Sequence, residues 1–139
     1  MARRVSPEAR ERLAADQELA GRFPELLDRA AELDGALRDA QAEGKPEDEV
    51  RALAVQLDDA LTEAMRAAYA RQRVEIGPRG YDDRIYTRSR KAKPHVRVWT
   101  AEAERLLTLR EENRLTGVPS LPIYAVGTAG SAAAAGARH

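Results

Sequence analysis

The sequence predicts a mainly α fold. It reads as an antiparallel helical hairpin, or a three-helix bundle if the first helix folds back. A basic extended arm or β-ribbon, a further helix and an extended C-terminal tail follow. Two apolar stripes and one short connection carry this reading. Leu26, Ala30, Leu33, Leu37 and Ala40 recur at helical spacing, and Val50, Leu53, Leu57, Leu61, Ala64 and Ala68 do the same in the next segment. Such spacing keeps apolar side chains on one face of a helix. Only Gly44 and Lys45 stand between the first segment and Pro46, and a connection that short makes the two helices antiparallel neighbours.

Taken in order, the first helix is expected over 7–20. Ser6 is a good N-cap, Pro7 suits the first helical position, and Glu8 and Glu11 sit near the positive end of the dipole. Leu13 and Leu19 are its large apolar residues, too few for a helix that stands alone. The second helix is expected over 24–43, with Gly44 as its stop. The third opens at Pro46 with Glu47, Asp48 and Glu49 in its first turn and runs to about residue 75. It outlasts its neighbour by roughly 15 Å at about 1.5 Å per residue. Met65, Tyr69 and Val74 lie on that overhang, to be covered either by the first helix or by another subunit.

Gly77-Pro78-Arg79-Gly80 breaks the third helix. Arg84-Ile85-Tyr86-Thr87-Arg88 and Val96-Arg97-Val98-Trp99 then alternate apolar and polar residues, the period of a strand. A two-stranded ribbon with a basic loop, or an extended arm, is expected over 77–99. A last helix is expected over 101–115, with Thr100 as N-cap, Glu102 and Glu104 in the first turn, and Gly117 as its stop. Pro119 and Pro122 bracket a short apolar piece, and residues 127–139 are almost all Ala and Gly. The chain thus divides into 1–76 (hairpin or bundle), 77–99 (arm), 100–116 (helix) and 117–139 (tail). The stretches after Glu75 are expected to need outside contacts, because they carry few large apolar side chains.

Composition narrows the function classes. The chain has 139 residues, no Cys, 4% aromatics and a net charge of zero. Without Cys there is neither a disulfide nor a Cys-based metal site. No stretch is long and apolar enough for a membrane span, and Met1-Ala2-Arg3-Arg4-Val5 lacks the apolar run of a signal peptide. The expected location is the cytoplasm or a particle assembled there. Charge is segregated: residues 23–75 carry 13 acidic and 7 basic side chains, and residues 79–97 carry 7 basic and 2 acidic. Segregation of this kind serves docking, between copies or onto an anionic partner.

No catalytic constellation is expected, nor a metal or cofactor site. His95 and His139 lack partners at ligand spacing. Asp58-Asp59 and Glu111-Glu112 are adjacent on helices and diverge rather than face one cleft. Asp82-Asp83 is expected to pair with Arg84 or Arg88.

The candidate binding residues for nucleic acid or an acidic partner are Arg79, Arg84, Arg88, Arg90, Lys91, Lys93, Arg97, Tyr86 and Trp99. Cations neutralise phosphates, and aromatic faces stack on bases or guanidinium groups. Trp99-Thr100-Ala101-Glu102 followed by Leu106-Leu107 resembles the first helix of Myb-like DNA-binding domains. The prolines and the Ala/Gly tail that follow depart from the rest of that pattern, so no residue role is carried over.

The expected function is a non-enzymatic structural or assembly protein contacting itself or other protein subunits, such as a component of a virus or phage particle. The alternative is a small DNA- or RNA-binding regulator using residues 79–97.

Overall fold

Ser6 turns the chain into the first helix, α1 (Pro7–Gly21). Its hydroxyl accepts a hydrogen bond from the Ala9 amide at 3.1 Å, and Pro7 occupies the first helical turn. The computed structural model describes residues 4–116, in which helices joined by short connections follow an irregular start at 4–6. After α1 come α2 (Phe23–Ala42), α3 (Glu47–Ile76), a 3-10 turn (Pro78–Tyr81), α4 (Arg84–Arg90) and α5 (Pro94–Thr116). The second residue of α2, Pro24, has no amide proton, so the helical ladder is interrupted there. Arg22 alone separates α1 from α2.

Gly44 ends α2 with φ of 67°, a left-handed conformation that glycine adopts without strain. The Lys45 amide reaches back to the Ala40 carbonyl at 3.0 Å. Pro46 then caps α3, whose first turn carries Glu47, Asp48 and Glu49 at the positive end of the dipole.

The long helix α3 is the common wall. Leu57, Leu61, Ala64 and Ala68 meet Leu27, Ala30, Leu33 and Leu37 of α2 in one apolar core. Ala103, Leu106 and Leu109 of α5 join the same core. Polar contacts fix the direction of α5. Gln72 donates to Thr100 Oγ1 at 2.7 Å, Arg110 to Thr62 Oγ1 at 3.2 Å, and Asn113 to the Ala54 carbonyl at 2.9 Å. As α5 advances α3 recedes, so the two are antiparallel. Ala64, Ala67, Ala68 and Ala70 are fully buried; their small side chains let helices approach α3 closely. Leu37, Leu57, Leu61, Leu106 and Leu109, also fully buried, supply the larger apolar surface. Each such leucine stabilises the fold by about 1.5–3 kcal/mol relative to an exposed one. Met65 and Tyr69, on the expected overhang, pack half-buried against this core.

Two expectations are corrected. Among the described residues there is no strand, so neither a β-ribbon nor an extended arm spans 77–99. Asp83 caps α4 by accepting from the Tyr86 amide at 3.0 Å, and α5 starts at Pro94, seven residues before the expected 101. Three apolar residues in Val96–Trp99 suit a strand period, but Val96, Trp99, Ala103 and Leu106 also fall at helical spacing. Packing against α3 selects the helix, leaving Val98 half exposed. Thr100 is therefore interior to α5 rather than its cap, and Glu102 is buried, bonded to Arg105 at 2.7 Å. Contrary to the expectation that it needs outside contacts, the segment after Glu75 packs in part on its own chain. Its helix α5 settles along α3 of the same chain, with Val96, Ala103, Leu106 and Leu109 fully buried. The expected tail, 117–139, lies outside the described residues.

Candidate docking surface

Gly77 ends α3 with φ of 100°, a backbone conformation that disfavours any residue with a Cβ. The 3-10 turn that follows lies on the end of α3. At Gly80 a Cβ would come within 2.6 Å of Ile76 Cγ2, so only glycine allows this approach. Thr87 Oγ1 donates to the Gly80 carbonyl at 2.7 Å, tying α4 to the turn.

A polar cluster holds the turn to α1. The Asp16 carboxylate accepts from Arg73 Nε at 2.8 Å and Nη2 at 3.0 Å, and from the Tyr81 hydroxyl. Arg12 lies over the Tyr81 ring at 5.2 Å. Burial alone would push the Asp16 carboxyl up. The hydrogen bonds from Arg73 and Tyr81, with the Arg73 and Arg12 charges, outweigh it and hold the carboxyl below its usual range. Burial, then the bond to Asp16, pushes the Tyr81 phenol well above its ordinary value, so it stays a proton donor. Nearby, Ser6 donates to Asp82 from its amide at 3.0 Å and its hydroxyl at 2.7 Å. Residues 57, 65 and 76 positions apart meet here, and no local sequence signal pairs them.

Asp82 and Asp83 thus engage Ser6, the cap of α4 and Arg79, rather than the expected Arg84 or Arg88. Arg79 lies 3.6 Å from Asp83.

The nine candidate residues divide into two groups. Tyr86 is half-buried between two guanidinium groups, Arg79 at 4.5 Å and Arg90 at 5.8 Å from its ring centre. Trp99 meets Phe23 edge to face at 5.3 Å and carries Arg71 at 5.0 Å on its ring. Both aromatics are therefore engaged within the chain. By contrast, Arg84, Arg88, Lys91, Lys93 and Arg97 are exposed, and none makes an ion pair with a described carboxylate. Ile85, 83% exposed, stands among them. Residues 84–97 contain six cations and no carboxylate. This cationic end lies at one end of α3, and the acidic turn Glu47–Glu49 lies at the other. The separation is about 45 Å for a 30-residue helix, far beyond the screening length of about 8 Å at physiological salt.

Among the described residues no group of His, Cys, Asp or Glu could hold a metal ion, and no helix is long and apolar enough to cross a membrane. His95 is exposed. No family model, curated protein or solved structure matches the chain.

Proposed function

We propose that the protein is a non-enzymatic structural or assembly protein, with the α2–α3 hairpin as its rigid body and the cationic end at 84–97 as its docking element. The observation that carries this reading is the set of five exposed cations with no carboxylate partner, at the opposite end from an acidic turn. Unpaired charge at one end steers and orients a partner of the opposite sign. A subunit of a larger particle, such as a virus or phage particle, suits the reading, and so does another homo-oligomeric adaptor.

The same cations support a second reading, a regulator that contacts nucleic-acid phosphates. Engagement of Tyr86 and Trp99 with the chain's own side chains argues against base stacking as part of it.

Light scattering on the purified chain at low salt tests the choice. Assembly predicts a mass above the monomer that returns to the monomer when Arg84, Arg88, Lys91 and Lys93 are all replaced by Ala, with helix content unchanged. A clean monomer at every concentration overturns it. Duplex DNA binding that falls steeply with salt, together with that monomer, establishes the second reading instead.

A further inference from the structure

We infer that the cationic end docks onto the outer groove between α2 and α3 of a second copy of this chain. This rests on the assembly reading above and names its partner. The groove lies on the side of α3 turned away from α5. Leu26, Leu33 and Ala60 make its apolar floor. Asp59 and Glu63 stand on its α3 rim, exposed and without an ion pair to any described residue. Arg29, on the α2 rim, is turned to Glu32 at 3.8 Å.

The cationic end matches this groove in three respects. Arg84 and Arg88 are one helical turn apart, as are Asp59 and Glu63, so helices laid side by side bring both pairs into register. Ile85 lies three residues before Arg88 on α4, so it flanks the arginine pair, and it is 83% exposed, an apolar side chain without a cover. The groove supplies an apolar floor next to its carboxylates, which is the complement of that arrangement.

The contact cannot form within one molecule. Ala60 lies sixteen residues before Ile76, about 24 Å along α3. Thr87 and Tyr86 tie α4 to the far end of that helix through Gly80 and Arg79. A second copy is therefore the occupant, and the zero net charge of the chain keeps two copies from repelling each other.

A charge-swap experiment on the full chain tests this by sedimentation equilibrium at low salt. One variant carries Arg84→Glu with Arg88→Glu, and the other Asp59→Lys with Glu63→Lys. All four positions are exposed, and circular dichroism verifies that both variants fold. Each variant alone is expected to self-associate at least tenfold more weakly than wild type. An equimolar mixture recovers wild-type association, because each reversed α4 now faces a reversed groove. Ile85→Ala, with every charge intact, weakens association as well. If wild type associates but the Asp59/Glu63 variant associates equally well, or the mixture stays monomeric, the groove assignment is overturned while assembly stands. If wild type never associates, the assembly reading falls and takes the groove with it.

Discussion

Helices α4 and α5 leave the same stretch of polar, cation-rich sequence and meet opposite fates. Along α5, Val96, Ala103, Leu106 and Leu109 recur in helical phase and are fully buried against α3. In α4 no residue is buried, and its aliphatic side chain, Ile85, faces outward. Apolar content alone does not separate them. What separates them is phase: a few apolar residues repeated every three or four positions form a continuous stripe, whereas a single one does not. The segment 77–90 is held instead by polar ties, from Asp16 to Tyr81, from Ser6 to Asp82 and from Thr87 to Gly80. One end of the molecule is thus anchored by burial and the other by hydrogen bonds.

The largest expected effect comes from breaking the buried anchor. Leu106→Ala removes a fully buried side chain from the shared core and is expected to cost about 2–5 kcal/mol of unfolding free energy in urea titration. Ile85→Ala, in the same titration, is expected to change stability by no more than about 0.5 kcal/mol. Equal losses would erase the distinction between the two helices.

An intermediate effect is expected at the joint between them. Gly80→Ala drives a Cβ to 2.6 Å from Ile76 Cγ2 and 3.1 Å from Thr87 Oγ1. Ile76 is buried and cannot yield freely, so the strain is expected to cost about 1–3 kcal/mol. Hydrogen exchange sharpens the prediction. Amides of α4 should exchange faster in the variant, and those of α5 should change less. Uniform acceleration across both helices would mean that α4 is not a separately anchored unit.

The contrast also explains what the sequence disclosed. The bounds of α1, α2 and α3 were legible because each has local punctuation: Ser6-Pro7, Gly44, Pro46 with its acidic turn, and Gly77-Pro78. The start of α5 was not, since Val96 to Trp99 satisfies two periods at once and only packing against α3 decides between them. The second buried face of α3 was hidden for another reason. Ala67 and Ala70 are fully buried, but alanine occurs on covered and open faces alike and carries no directional signal. At the candidate surface, the cations were legible as a cluster. The engagement of Tyr86 and Trp99 was not, because it depends on Arg71, Arg79 and Phe23 arriving from elsewhere in the fold.

The smallest expected effect lies in the polar anchor, and its signature is a pH dependence. The folded-state Asp16 carboxyl titrates below 3.8, held there against burial by Arg73 and Tyr81. A depressed value means stability that is present above the unfolded value and lost as pH falls through the folded one. Asp16→Asn should therefore cost about 1 kcal/mol at pH 7, limited by the solvent that reaches Arg73. The gap between variant and wild type should narrow as pH drops below 3.8. Asp34 supplies the opposite sign, because burial raises its carboxyl above 3.8 despite the bond from Arg38. Wild type gains stability over Asp34→Asn as pH falls through that raised value towards 3.8, so this second gap shifts in favour of wild type before the first one, below 3.8, begins to close. Urea unfolding of the three proteins between pH 7 and pH 3 reads both slopes. If the two gaps moved in the same direction, Asp16 would not be the charged anchor that holds the 3-10 turn against α1.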